Sequence, residues 1–134
     1  MKKTKKVKKV FGYHMILDLY GCNHKACGSL EICYNFLDKI TDIMKTHKQA
    51  PPYIIFTDGK KYPDKAGLSG WVPIVESGVS IHTLTVTNFI TIDVYSCKKF
   101  DQKKIKNFIF RIFKPKKYDT KYFPRAVDYI HPAK

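Results

Sequence analysis

The chain reads as an α+β protein, a two-layer sandwich of an antiparallel β-sheet with two helices on one face. Three observations predict it. Two stretches, one early and one late, carry apolar residues at helical spacing. The centre of the chain is β-rich throughout, with turns too short to hold a crossover helix. The 134 residues, 44% apolar and 14% aromatic, fit a single domain with a core of its own.

The elements run in order. "VFGYHMILDLYGC" reads as a first strand ending at Gly21. Residues 29–47 place Cys33, Phe36, Leu37, Ile40, Ile43 and Met44 on one helical stripe. Ser29 is the expected N-cap, Glu31 favours the first turn, and Pro51-Pro52 is the expected stop. "YIIFTDG" is a short strand closed by Asp58-Gly59. "GLSGWVPIVES" and "VSIHTLTV" are strands, and Thr87-Asn88 turns the chain into "FITIDVYSC". Asp101 caps a second helix with Ile105, Phe108, Ile109 and Ile112 on one stripe, ended by Lys114-Pro115. "KYDTKYF" is read as a last strand. In "FITIDVYSC" the alternation puts Ile90, Ile92 and Val94 under the helices. Thr91, Asp93, Tyr95 and Cys97 then share the uncovered face, a surface suited to a dimer contact or a site.

The net charge is +14, with six lysines in "MKKTKKVKK" alone. Residues 1–10 are read as a basic tail and residues 11–134 as the domain. Lysine far outnumbers arginine, and without bidentate guanidinium forks nucleic-acid recognition is not the expected main role. No apolar run reaches membrane-spanning length, and Asp18 and His14 interrupt the stretch after the positive N-terminus, so neither a membrane span nor a signal peptide is expected. A cytoplasmic setting is the expectation, and with it free thiols rather than a disulfide framework. Cys22, His24, Cys27 and Cys33 match no common zinc spacing, so no metal is expected and the thiols read as buried.

One interruption stands out. In "WVPIVESGVSIHT" a carboxylate, a hydroxyl and a glycine break an otherwise apolar β-rich run. A turn explains them; so does a backbone built to be cut. Ser77 lies between Glu76 and Gly78, and the glycine lets the backbone strain at low cost. His82 follows Ser77 by five positions and Cys97 by twenty.

This order of motifs resembles the prokaryotic S-adenosylmethionine decarboxylases, from about residue 11 to about residue 113. "GYHMILDLYGC" is similar to the family's opening strand, "GLSG" to the segment before the cut, "ESGVSIHT" to the cleavage segment and "IDVYSC" to the strand ending in the catalytic cysteine. The resemblance implies self-cleavage between Glu76 and Ser77, with Ser77 becoming a covalent pyruvoyl (pyruvate-derived) cofactor. Ser77 Oγ attacks the Glu76 carbonyl, β-elimination leaves dehydroalanine, and hydrolysis yields the pyruvoyl group and ammonia. Its carbonyl then forms a Schiff base with an amino-acid substrate and accepts electrons as carbon dioxide leaves. His82 and Ser69 are implicated in processing and Cys97 as proton donor. Asp18 is expected to meet a cationic substrate group, and Tyr62 to stack on a ring or simply lie at the surface. Trp71 is expected in the core or a dimer contact, and His14 at a site or capping the first strand.

The implied activity is S-adenosylmethionine decarboxylation, which makes the aminopropyl donor for spermidine, by a homodimer of cleaved protomers. His82 and Ser77 have opposite strand parity, which fits a site shared across that dimer. Two positions depart from the family pattern. Gly78 replaces the histidine after the serine, and Val86 stands where a glutamate binds the substrate ribose. A buried ribose hydroxyl facing valine would lose about 1–3 kcal/mol. Two alternatives therefore stay open: an arginine or ornithine decarboxylase on the same fold, and an uncleaved relative with a binding role.

Overall fold

A computed structural model describes residues 9–132, so the lysine run of residues 1–8 lies outside the described residues. The order is β1 (Gly12–Tyr20), α1 (His24–Gly28), α2 (Leu30–Ile43), β2 (Tyr53–Thr57), β3 (Gly67–Ile74), β4 (Ser77–Leu84), β5 (Phe89–Ser96), α3 (Gln102–Phe113) and β6 (Lys117–Arg125). The six strands form one sheet in the order β2-β3-β4-β5-β1-β6, every pair antiparallel. The strand read from "KYDTKYF" is real, extends to Arg125, and closes the sheet beside β1. As an outer strand it tolerates Pro124, whose missing N–H is needed least there.

Alternating residues of the sheet build the core: Met15, Leu17 and Leu19 from β1, Val79 and Ile81 from β4, and Ile90, Ile92 and Val94 from β5 are at most 2% exposed. The two expected stripes cover them. On α2 Cys33, Phe36, Leu37 and Ile40 are buried, with Ile43 only partly so; on α3 Ile105, Ile109 and Phe113 are buried, with Phe108 and Ile112 partly so. Phe36 joins the two helices, its ring 5.2 Å from Phe113 and 5.9 Å from Phe108. Each such buried aromatic contributes about 2–3 kcal/mol of transfer free energy. The caps are as read: Ser29 Oγ accepts from Ile32 N–H at 3.1 Å, and Asp101 Oδ1 from Lys104 N–H at 3.1 Å.

The helical content differs from the expectation at two places. A third, short helix, α1, sits ahead of α2, started by Asn23, whose Oδ1 accepts from Ala26 N–H at 3.0 Å. The second difference is the end of α2, which stops at Ile43 rather than continuing to residue 47. Lys45 turns left-handed at φ 57°, and Thr46 N–H and Oγ1 both return to the Thr41 carbonyl at 3.0 Å. The proline pair lies too far on to be the terminator. His47 is thereby released from the helix and reaches the β3–β4 connection. Cys22, Cys27 and Cys33 are buried, whereas Cys97 is exposed. Burial pushes the Cys33 thiol up to about 12.

Candidate functional site

The interruption in the sheet is a turn. Ile74 pairs with Ser77, so Val75 and Glu76 form a two-residue hairpin loop between β3 and β4. The Glu76–Ser77 peptide bond leaves that loop and enters β4. Ser77 has φ 152°, a value that costs a residue bearing a Cβ. The sequence expects strained backbone at Ser77, eased by the glycine after it, and the positive φ falls on Ser77 itself. Gly78 is small for another reason: a Cβ there would lie 2.6 Å from Trp71 Nε1. Trp71 is half exposed, so it belongs to the open face and not to the core.

Both sides of the bond are held. Ser77 pairs with Ile74 on one side and Ser96 on the other. The Glu76 carbonyl oxygen accepts the Cys97 N–H at 2.8 Å. The Glu76 carboxylate accepts two hydrogen bonds from one residue, His47: the backbone N–H at 3.0 Å and Nδ1–H at 2.7 Å. The His47 carbonyl accepts the Val75 N–H at 2.8 Å. Burial pulls the Glu76 carboxyl upward, but the His47 donors outweigh it and hold it below the usual carboxylate range.

For Cys97 the alternation predicts the open face beside Tyr95. The strand ends at Ser96, so alternation no longer sets the direction of the thiol. Cys97 instead lines a cavity of about 320 Å³ with Phe11, Tyr13, Lys99 and His131. His131 arrives there because the chain reverses at Ala126, φ 52°, and runs back along residues 9–11. Lys9 N–H donates to the Tyr129 carbonyl at 2.9 Å, and the Phe11 and Tyr129 rings meet edge-on at 4.9 Å.

Ser69, His82 and Asp18 form a second group. Ser69 Oγ and His82 Nδ1 are hydrogen-bonded at 2.8 Å. The register aligns Ser69 with His82, His82 with Thr91 and Thr91 with Asp18, a straight row across the open face. This row lies far from Ser77. Along β4 the separation of Ser77 and His82 is about 17 Å at ~3.3 Å per residue, and the two positions have opposite strand parity. Tyr62 joins neither group: it is half exposed on the loop between Thr57 and Gly67, at the sheet end opposite Ser77. Val86 is likewise exposed, at the tip of the β4–β5 hairpin.

A third cluster joins His14, Asp93 and Tyr95, singled out in the sequence, to Ser80 and Arg125, which the sequence does not single out. His14 Nε2–H donates to Asp93 Oδ1 at 3.0 Å, and Arg125 Nη1 lies 3.0 Å from His14 Nδ1. Arginine only donates, so Nδ1 accepts and the proton sits on Nε2. Ser80 Oγ reaches Asp93 at 3.4 Å, and the Arg125 guanidinium covers the Tyr95 ring at 4.6 Å. This chain of contacts crosses β6, β1, β5 and β4. The placement of His14 and Asp93 on one face is visible in the alternation; Arg125 is not, because the extent of β6 is not.

Comparison with known proteins bears on the family and the fold. A profile of the S-adenosylmethionine decarboxylase family matches residues 13–126. The S-adenosylmethionine decarboxylase proenzyme of Clostridium botulinum (strain Loch Maree / Type A3) is 35% identical over 98 residues, covering 72% of this chain and 78% of that protein. The proenzyme of Pyrobaculum arsenaticum is 29% identical over 119 residues, covering 88% and 90%. The crystal structure of adenosylmethionine decarboxylase from Aquifex aeolicus VF5 has the same fold, with TM-score 0.73, 24% identity and coverage of 87% of this chain and 92% of that one. The match runs through β1, the β3–β4 hairpin and β5 into β6, and so the chain belongs to the S-adenosylmethionine decarboxylase family, a family of pyruvoyl-dependent carboxy-lyases.

Proposed function

We propose that the chain is a proenzyme that cuts its own Glu76–Ser77 bond and then decarboxylates S-adenosylmethionine, supplying the aminopropyl donor for spermidine. The observation that carries this reading is the bond itself: it leaves a tight hairpin loop, with a strained Ser77 on one side and a Glu76 carbonyl already bonded to the Cys97 N–H on the other.

The chemistry is built on those contacts. Ser77 Oγ attacks the Glu76 carbonyl carbon, and the Cys97 N–H, 2.8 Å from the carbonyl oxygen, stabilises the oxyanion that forms. The C–N bond breaks, the hydroxyl proton passes to the nitrogen, and an ester joins the two residues. Loss of the Ser77 α-proton then expels Glu76 as a carboxylate and leaves dehydroalanine. Water hydrolyses it to a ketone with release of ammonia. The ladder pairs on both sides of β4 keep the cut ends in place. The residues present suit the pyruvoyl group: Ser77 is its precursor, and Cys97, an exposed thiol whose N–H bonds the Glu76 carbonyl, is assigned as proton donor. Once formed, that group supplies the electron sink for decarboxylation.

A base is still required, and His82 with Ser69 is too distant to serve Ser77 of its own chain. We place that pair in the site of a second protomer. Exposed Tyr53, Ile55 and Trp71 on the same face as Ser69 and His82 supply apolar surface for such a homodimer. Asp18, in the same row, is assigned to the substrate's cationic group; nothing in its surroundings gives Tyr62 a role.

Intact-mass measurement of the purified protein tests the reading. Fragments 1–76 and 77–134 are expected, the second blocked by a ketone that reacts with a hydrazine. A single uncut chain overturns the reading in favour of a relative with a binding role. Val86 favours one other substrate class, since valine at an exposed hairpin tip cannot accept from a ribose hydroxyl. Carbon dioxide release from arginine or ornithine, and none from S-adenosylmethionine, would establish that reading instead.

A further inference from the structure

His47 lies 29 positions from Glu76 and in none of the quoted segments that resemble the family, yet three hydrogen bonds tie it to Val75 and Glu76 on the acyl side of that bond. Its carbonyl takes the Val75 N–H, its own N–H gives to Glu76 Oε1, and its Nδ1–H gives to Glu76 Oε2, at 2.8, 3.0 and 2.7 Å. Neighbouring contacts extend the grip. Gln49 N–H donates to the Pro73 carbonyl at 3.0 Å, Lys48 bridges to Ile74, and Lys98 Nζ donates to the Lys45 carbonyl at 2.8 Å. Residues 45–49 thus brace the loop from one side while Ser96–Lys98 brace it from the other.

We propose that His47 is a positioning residue for self-cleavage, fixing the Glu76 half of the bond while the sheet fixes the Ser77 half. The inference rests on the reading of residues 76 and 77 as the cut site. A two-residue hairpin loop joined only at its ends swings about those ends, and attack by Oγ needs the carbonyl carbon held within about 3–3.5 Å in the right orientation. Gripping the Glu76 side chain at both oxygens, with the main-chain carbonyl pinned by Cys97, removes that freedom. The same grip keeps the new carboxylate of residue 76 beside the Cys97 N–H once the bond has parted.

His47→Ala removes the imidazole but keeps the two backbone contacts, which any residue except proline can make. Self-cleavage of freshly purified chain, followed by intact mass, is expected to slow about fivefold, the effect of one largely exposed ion-pair contact. His47→Asn, whose amide N–H takes the place of Nδ1–H, is expected to recover most of that rate. A merely structural role is separated by thermal melting in the uncleavable Ser77→Ala background, where adding His47→Ala is expected to lower Tm by only about 1–3 °C because the imidazole is three-quarters exposed. Cleavage of His47→Ala at the wild-type rate overturns the inference and leaves the cut site untouched. Slow cleavage in both variants, with a fall in Tm beyond about 5 °C, overturns it as well. A wild-type chain that never cuts removes the underlying reading instead.

Discussion

Co-expression of Ser77→Ala and His82→Ala chains is expected to restore cleavage to the second of them. The Ser77→Ala chain has no hydroxyl to attack with. The His82→Ala chain has the hydroxyl but not the proposed base. Within one chain the two positions are about 17 Å apart along β4 and have opposite strand parity, whereas proton transfer needs an approach of about 3 Å. The proposed role of His82 is therefore exerted on the Ser77 of a partner. In a two-fold dimer each site takes Ser77 from one protomer and His82 from the other. A mixed dimer then holds one doubly defective site and one intact site, and the intact site contains the Ser77 of the His82→Ala chain. Random pairing of equal amounts puts about half of the His82→Ala chains in mixed dimers, so about half of them are cut. Chains tagged to differ in mass, co-expressed and measured intact, give that fraction directly. Absence of any fragment from the mixture, or full cutting of His82→Ala by itself, would refute the shared site.

Thr83 is fully buried, donating through Oγ1 to the Cys27 carbonyl at 2.7 Å and accepting from Leu68 N–H at 2.9 Å. Thr83→Val strands both backbone groups, so urea unfolding in the Ser77→Ala background should show a loss of about 2–4 kcal/mol, and melting a fall of about 10 °C; a loss under about 1 kcal/mol would mean that water reaches them. Cys97 is the exposed thiol and Cys22, Cys27 and Cys33 are buried, so the folded protein should give one fast thiol in a colorimetric assay, absent in Cys97→Ser. The His47–Glu76 contact predicts a pH slope. The Glu76 carboxyl is depressed in the folded state, so its stabilisation is complete above the usual carboxylate range and disappears as pH falls through the depressed value. Chemical denaturation of Ser77→Ala against pH should show that loss, and Glu76→Gln should flatten it; an unchanged slope would show that the contact contributes nothing in solution.

Much of this architecture is legible in the sequence because it depends on local periodicity. The stripe from Cys33 to Ile40 and the alternation from Ile90 to Val94 each need only a few neighbouring residues to declare which side is apolar. Ser29 and Asp101 announce helix starts for the same reason, since a cap bonds to the N–H three residues on. Local signals fail where the decisive contact is not local. The end of α2 depends on Lys45 turning left-handed, a position at which nothing in the residue type requires it. Gly78 reads in the sequence as the residue that eases strain at Ser77, although its smallness answers to the indole of Trp71 on the neighbouring strand.

The candidate site divides in the same way. The identity of the bond at Glu76–Ser77, the order of the strands' apolar faces and the opposite parity of Ser77 and His82 are properties of the chain read in one dimension. Which residues meet at that bond is not. Cys97 reaches the Glu76 carbonyl because β4 and β5 pair in one register, His47 reaches the carboxylate because α2 stops early, and His131 joins Cys97 because the chain reverses at Ala126. Those partners are brought in from 21, 29 and 34 positions away, by strand pairing and chain reversals that close only when the sheet assembles. Spacing along the chain carries no record of such closures, and for that reason the brace around the Glu76–Ser77 bond is visible only in three dimensions.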